Sequence, residues 1–306
     1  MTDTVERQSS GPDSAPSRGA AVNGVRNAMT VDVEDYFQVQ AFAARVDRQQ
    51  WQAYPSRVRA NTDRVLDIFG QAGVSATFFT LGWVGERHPD LLRRIVEQGH
   101  EVASHGYSHV PVHAQAVEEF RSDVRHTKRL LEDITGKAVK GYRAASFSIG
   151  AKTLWALDVL AEEGYAYSSS IFPVVHDFYG MPSAPRFAFH PKRDDFLEVP
   201  LTTIAAFGHN LPCSGGGYFR LAPYAFSRWA LRQVNKRDRQ PCVFYFHPWE
   251  IDPEQPRIEG ASVKSRFRHY LNLHRMEARL RRLLTDFRWA RMDEVFLGNS
   301  DAVAER

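Results

Sequence analysis

The chain has 306 residues, which is enough for one large α/β domain or for two smaller ones. Its formal net charge is only +3, and no dense block of basic residues is interleaved with aromatic ones, so the composition argues against nucleic-acid binding. The two cysteines are too few for a disulfide framework, and no apolar run is long enough for a membrane span or a secretory signal. These features predict a cytoplasmic protein with two buried thiols.

The first 27 residues are predicted to be a disordered leader, because they have low hydrophobicity and no periodic pattern. The folded part is predicted to be a single domain over residues 28–300. From about residue 171 onward, Pro, Gly and aromatic residues interrupt the regular pattern, which predicts an elaborated lid or insertion followed by C-terminal elements.

Strands and helices are predicted to alternate along this domain. The predicted strands are 28–33, 76–80, 100–104, 139–143, 165–168, 196–200 and 242–246, with a last strand and turn over 289–296. The predicted helices are 58–72, 89–98, 115–134, 151–163, 222–236 and a long one over 262–284, with a loop after Gly82. About seven strand–helix units predict a parallel α/β barrel with helices on its outer side.

A group of carboxylates follows the first predicted strand, where the active sites of parallel barrels assemble. Asp32, Glu34 and Asp35 lie within four residues of one another. Their charges repel unless a cation or an arginine compensates them. The alternative is a solvated turn that caps the next helix.

A pair of histidines follows the third predicted strand. His105 and His109 are four residues apart, and Gly106 between them allows a tight loop. Two imidazoles and a carboxylate suit zinc, and they also suit cobalt, nickel or iron. The alternative is a structural pair without a metal.

Two further side chains end predicted strands. His247 follows an apolar strand and precedes Pro248, a position that suits proton transfer, although a histidine there can also be a satisfied core residue. Arg143 ends its own strand, where burial without a carboxylate would be unfavourable, and Asp32 is an available partner.

These groups occur in the order found in a known family. The phrases VDVEDYFQV, GHEVASHGYSH, GYRAASFSI, SSSIFP and FYFHPWEID make residues 28–295 resemble the NodB-type polysaccharide deacetylases (carbohydrate esterase family 4), in the branch linked to exosortase and exopolysaccharide loci. The resemblance implies a distorted (β/α)7 barrel with one divalent metal, usually zinc. It also implies that Asp32 is the general base, that His105 and His109 bind the metal, that Arg143 orients the base, and that His247 is the general acid.

The sequence departs from the family pattern at the metal carboxylate. Many members have two adjacent aspartates, whereas Val33 follows Asp32 here. The metal ligand is therefore predicted to be Glu34 or Asp35, and the residues leave both open. A second departure is Ser168, which stands where relatives often have an aspartate near the arginine.

The predicted activity is removal of N-acetyl groups from the amino sugars of a polysaccharide or oligosaccharide, in exopolysaccharide biosynthesis. Two alternatives stay open. One is a related amidohydrolase that acts on a small non-peptide amide, and the other is an inactive barrel that binds glycan. The sequence makes no prediction of the polymer or of the oligomeric state.

Overall fold

The computed structural model describes residues 24–176, 179–192 and 194–298. Most of the predicted leader, residues 1–23, lies outside this part of the chain, so its disorder stays a prediction. Within the described ranges, no helix combines the length and the apolar character needed to cross a membrane.

The described strands are mostly short and buried. They are β1 (Arg26–Val33), β2 (Thr77–Thr80), β3 (Glu101–Ser104), β4 (Gly141–Tyr142), β5 (Tyr167–Ser168), β6 (Leu197–Glu198), β7 (Thr203–Ala206), β8 (His209–Pro212), β9 (Val243–Phe246) and β10 (Arg288–Ala290). The described α-helices are α1 (Val58–Ala72), α2 (Gly82–Arg87), α3 (Pro89–Glu97), α4 (Val117–Thr135), α5 (Trp155–Glu162), α6 (Gly216–Leu221), α7 (Tyr224–Gln233), α8 (Val263–Tyr270), α9 (Leu273–Asp286) and α10 (Met292–Phe296).

The main sheet is parallel, and β1 pairs with β2 on one side and with β9 and β10 on the other. Seven strands pair in the order β9-β1-β2-β3-β4-β5-β6, and β10 pairs with the first residues of β1. The carboxyl ends are in register, since Val33 is opposite Thr80, Thr80 is opposite Ser104, and Ser104 is opposite Tyr142. The predicted barrel-type fold, a curled seven-stranded parallel sheet with helices, is confirmed.

The chain between β6 and β9 connects the two outer strands of this sheet. The backbone N–H of Val243 donates to Thr202 Oγ1 at 2.7 Å, and that of Tyr245 donates to the Ser214 carbonyl at 3.0 Å. Gly215 follows with φ 142°, and a Cβ placed there would lie 1.9 Å from the Tyr245 carbonyl oxygen. Only glycine fits this backbone contact. The same region, which was predicted to be a lid or insertion, contains the antiparallel β7–β8 hairpin.

Helix α1 agrees with its prediction at both ends. Its apolar positions recur at helical spacing, and residues such as Val65 and Phe69 are fully buried against the sheet. Gly73 ends the helix in the left-handed conformation with φ 62°. Pro89 likewise occupies the first turn of α3, as predicted.

Several other predicted elements were wrong in extent. The long helix over 262–284 is two helices, α8 and α9, because Asn272 has φ 52° and interrupts it. The loop predicted after Gly82 is the short helix α2, whose first N–H groups donate to the carbonyls of Gly106 and Tyr107. The first strand begins two residues before the predicted start at Ala28. Strands β4, β5 and β6 have only two residues each.

Candidate active site

The predicted site residues meet at one end of the sheet. Asp32 is the second-last residue of β1, and Glu34 directly follows that strand. His105, Arg143 and His247 directly follow β3, β4 and β9 in turn. Because these strands are parallel and in register, their carboxyl ends lie side by side. The prediction that these groups share one edge of the barrel is confirmed.

One carboxylate and two imidazoles form a buried cluster. Glu34, His105 and His109 each offer a ligand atom, and these atoms all lie within 4.8 Å of one another. Glu34 Oε2 is 3.1 Å from His109 Nε2. His105 Nδ1 lies 2.8 Å from the Arg143 carbonyl oxygen, which can only accept, so this nitrogen carries the proton and Nε2 has its lone pair available. The loop folds back through left-handed backbone at Gly106 and His109.

The donors in this cluster fit a divalent metal ion. Within the described chain, Glu34 Oε2 and His105 Nε2 are buried polar atoms that make no hydrogen bond. Burial raises the pKa of the Glu34 carboxyl to about 7 and lowers the pKa of His105 and of His109. A bound cation would offset the cost of burying the Glu34 charge, and the neutral imidazoles are already in the form that binds metals. The donor set suits zinc as well as cobalt, nickel or iron.

Asp35, the other candidate for the metal carboxylate, lies away from the histidines. Its Oδ2 accepts hydrogen bonds from Ser56 Oγ at 2.8 Å and from the backbone N–H groups of Arg57 at 2.8 Å and Val58 at 3.0 Å. These groups form the N-terminal end of α1, which a carboxylate stabilises. The structure thus brings Glu34 to the histidines and Asp35 to a helix end.

Arg143 and Asp32 form a buried ion pair, as predicted. Arg143 Nη1 donates to Asp32 Oδ1 at 2.6 Å and to Thr30 Oγ1 at 2.8 Å. The rest of the guanidinium donates to the carbonyl and hydroxyl oxygens of Ser169, both at 3.1 Å. Ser168, the departure noted in the sequence, instead donates to Ser170 Oγ at 2.8 Å. The arginine therefore holds one oxygen of Asp32, and Asp32 Oδ2 faces the site.

His247 lies beside both carboxylates of the first strand. Its Nε2 is 3.4 Å from Glu34 Oε1 and 4.0 Å from Asp32 Oδ2. Burial alone would lower the pKa of His247, but the charges of Glu34 and Glu250 outweigh burial and raise this pKa to about 9. A protonated imidazole next to the buried carboxylates can donate a proton.

Two residues that the sequence did not single out support His247. Glu250 Oε1 is 2.8 Å from His247 Nδ1 and accepts the backbone N–H of His247 at 3.0 Å. Arg220 Nε donates to Glu250 Oε2 at 2.6 Å, and both side chains are buried. The spacing from His247 to Glu250 was a signal for this contact, because an acidic residue three positions after a helix start often binds back to the first residue. No local signal identifies Arg220.

A cavity of about 470 Å³ opens over this cluster. Aromatic side chains line much of it, including Phe147, Tyr218 and Trp249. Tyr179 and Tyr245 also line it.

Two known families match the chain after residue 48, and their ranges include His105, Arg143 and His247 but not Asp32 or Glu34. Residues 49–167 match the family described as polysaccharide deacetylase, and residues 169–297 match a domain of unknown function, DUF3473. The chain therefore contains a polysaccharide deacetylase domain. The resemblance to the NodB type is confirmed for this domain, and DUF3473 follows it in the chain. The boundary falls at β5, and strands from both parts pair in one sheet.

Curated relatives match only part of the chain. The chain is 33% identical over 105 residues to a chitooligosaccharide deacetylase of Bradyrhizobium sp., which covers 34% of this chain and 46% of that protein. It is 35% identical over 82 residues to a peptidoglycan-N-acetylglucosamine deacetylase of Bacillus cereus, which covers 27% of this chain and 30% of that protein. The matched segments therefore span less than half of the length of either relative.

Solved structures support the fold over most of the chain. A structure from Mycobacterium smegmatis assigned to the same family superposes with a TM-score of 0.55 at 21% identity, over 95% of this chain and 93% of that one. An allantoinase, PuuE, superposes with a TM-score of 0.57 at 15% identity, over 89% and 88% of the two chains. At these identities the two structures are evidence for the fold alone.

Proposed function

We propose that this protein is a metal-dependent hydrolase that removes N-acetyl groups from the amino sugars of a polysaccharide. One observation carries the proposal: the Asp32–Arg143 ion pair and His247 lie against the Glu34–His105–His109 cluster at the floor of one cavity. A base, an acid and a set of metal ligands are the groups that hydrolysis of an unactivated amide requires.

Glu34, His105 and His109 would hold the metal ion. When bound, the ion would polarise the acetamide carbonyl and make a water molecule more acidic. Asp35 would remain at the N-terminus of α1, where its carboxylate already accepts several hydrogen bonds.

The chain's own residues would move the protons. Arg143 pairs with Asp32 and fixes its Oδ1, so that Oδ2 accepts a proton from the attacking water. As the water oxygen bonds to the carbonyl carbon, the C–N bond weakens. His247 Nε2 then donates its proton to the departing nitrogen, because an amide nitrogen leaves poorly as an anion. The products are acetate and the free amine of the sugar.

The proposed substrate is a glycan. The aromatic side chains of Phe147, Tyr179 and Tyr218 line the cavity and offer apolar faces on which sugar rings can pack. The names of two curated relatives, a chitooligosaccharide deacetylase and a peptidoglycan-N-acetylglucosamine deacetylase, support an N-acetylated sugar polymer. The resemblance of the sequence motifs to the exosortase-linked branch supports an exopolysaccharide as that polymer.

Acetate release from N-acetylglucosamine oligomers tests this function. Purified protein, loaded with zinc or cobalt, should release acetate and produce free amines in equal amounts, while allantoin and simple acetamides should be poor substrates. Faster turnover of a small amide would make the protein an amidohydrolase of another class. No acetate with any of these substrates, together with no bound metal, would indicate an inactive barrel.

A further inference from the structure

The proton-donating half of the site is built by the part of the chain whose family has no assigned function. The proposed base, Asp32, and the metal-ligand cluster of Glu34, His105 and His109 lie before residue 168. The segment that matches DUF3473, residues 169–297, contains His247, Glu250 and Arg220. The two halves meet where His247 Nε2 approaches Glu34 Oε1 at 3.4 Å.

We propose that Glu250 and Arg220 are positioning residues that hold the His247 ring with Nε2 directed at the reacting amide, and that supplying this arrangement is the function of the DUF3473 segment. The inference rests on the proposed deacetylase function, because it assigns a task to His247 in that reaction.

The contacts of Glu250 fix both the backbone and the ring of His247. A single oxygen, Oε1, accepts the backbone N–H of His247 and faces ring Nδ1 at 2.8 Å. Because an ionised carboxylate only accepts, Nδ1 must carry a proton. The ring can then neither flip nor exchange its nitrogens without losing this hydrogen bond. One face of the His247 ring also stacks on Trp249, with ring centroids 5.0 Å apart.

Arg220 holds the carboxylate of Glu250 in place. Its Nε donates to Glu250 Oε2 at 2.6 Å, and its remaining nitrogens donate to the carbonyl oxygens of Arg268, His269 and Leu271 at 2.7 to 3.0 Å. These carbonyls belong to the C-terminal end of α8, which has no further intrahelical donors. The guanidinium thus joins α8 to the His247–Glu250 pair, and a side chain with fewer directed donors cannot make all of these contacts.

The alternative is that Arg220 and Glu250 only stabilise the fold. The two roles predict different effects on two reactions when Arg220 or Glu250 is replaced. Cleavage of an N-acetyl amide needs a proton on the leaving nitrogen, whereas cleavage of an aryl acetate releases a phenolate that leaves without one. A positioning role therefore predicts a selective loss on the amide, and a purely structural role predicts equal losses on both substrates.

The experiment compares Glu250→Gln and Arg220→Lys with wild type as zinc-loaded holoenzymes, using N-acetylglucosamine oligomers and 4-nitrophenyl acetate. For the oligomers, kcat should fall by about 100-fold or more while KM changes by less than about 3-fold. For the ester, kcat should change by less than about 5-fold. Glu254→Gln and Arg266→Lys, which alter exposed residues near the same elements, should match wild type on both substrates. Equal losses on amide and ester, or an unchanged amide rate, would overturn the inference.

A second measurement does not depend on turnover. Nitrogen-15 spectra of the zinc-loaded wild type should show a proton on His247 Nδ1 that is hydrogen-bonded to a carboxylate. In Glu250→Gln, Arg220 should keep the amide oxygen, so the amide NH2 faces Nδ1 and this proton is lost. A wild-type ring without a proton on Nδ1 would overturn the inference even if the variants fail to fold. If the spectra agree but wild type releases no acetate from any glycan, the proposed function fails while the positioning stands.

Discussion

Arg143 Nη1 and Asp32 Oδ1 lie 2.6 Å apart, and each side chain is at most 2% exposed. The two strands that carry these residues, β1 and β4, are not neighbours in the sheet, because β2 and β3 lie between them. A charge pair buried so deeply is held by its hydrogen bonds as much as by attraction, and Arg143 also bonds Thr30 and Ser169. The pair therefore acts as one rigid unit that aims Asp32 Oδ2 at the site.

The first prediction concerns that geometry. Arg143→Lys keeps the positive charge but cannot bond Asp32, Thr30 and Ser169 together, because a lysine has no planar fork of donors. We expect kcat for N-acetylglucosamine oligomers to fall by about 100-fold, with metal content unchanged. Steady-state kinetics and metal analysis check this. Arg59→Lys, which changes an exposed arginine, is the control. Wild-type activity in Arg143→Lys would show that Asp32 needs no rigid support.

The second prediction separates the two neighbouring acids. Glu34→Ala removes the carboxylate beside His105 and His109, so zinc content should fall from about one per chain to near zero. Asp35→Ala should keep its zinc but lose roughly 2 kcal/mol of unfolding free energy, because three hydrogen-bond donors at the start of α1 lose their acceptor. Metal analysis and urea unfolding distinguish the two variants. Loss of zinc from Asp35→Ala with retention in Glu34→Ala would reverse the assignment.

The third prediction is a pH dependence of stability that arises far from the active site. Glu101 begins β3, accepts hydrogen bonds from Thr77 at 2.5 Å and Tyr167 at 2.9 Å, and is buried. Burial and, next, the carboxylate of Asp293 raise the pKa of Glu101 from 4.5 to about 7. The folded protein therefore binds this proton more tightly than the unfolded chain does. The stabilisation is complete below about pH 4.5 and is lost as the pH rises towards 7.

Glu101→Gln removes this titration. Between pH 5 and pH 8, wild type should lose on the order of 2 kcal/mol more stability than Glu101→Gln does. Urea unfolding of both proteins at several pH values measures the difference, and contributions from other groups cancel in the comparison. Parallel stability curves for the two proteins would mean that Glu101 is not protonated in the folded state.

The fourth prediction tests the backbone contact that links the DUF3473 segment to β9. A Cβ at Gly215 would lie 1.9 Å from the Tyr245 carbonyl oxygen, and the residue has φ 142°, so Gly215→Ala should cost more than about 2 kcal/mol of unfolding free energy. Gly217→Ala is the matched control, because the nearest atom to a Cβ there is 4.0 Å away and the residue is helical. Equal stability of the two variants would contradict the contact.

The sequence predicted most of the elements that depend on local patterns. Helix α1 was predicted at both ends because its apolar spacing is regular and Gly73 stops it. The choice between Glu34 and Asp35 was not predictable, since both follow β1 and the direction of each depends on how the chain turns toward Ser56. The sequence pattern did not predict the left-handed conformation of Asn272, which divides the predicted long C-terminal helix into α8 and α9.

The site itself was predicted in part. Asp32, His105, Arg143 and His247 each end a strand, so a parallel sheet brings them together whatever the details of the helices. The position of Arg220 could not be predicted in this way. Its partners are 30 to 51 positions away along the chain, and only the packing of α8 against the His247 loop brings them together. Long-range contacts of this kind leave no periodicity in the sequence.

The most direct test of the central claim is the metal content and turnover of Asp32→Asn measured in the same samples. If Asp32 is the base beside a metal held by Glu34, His105 and His109, this variant should keep about one zinc per chain while kcat for acetate release from N-acetylglucosamine oligomers falls by about 1,000-fold. Loss of the zinc from Asp32→Asn, or acetate release at the wild-type rate, would contradict the account.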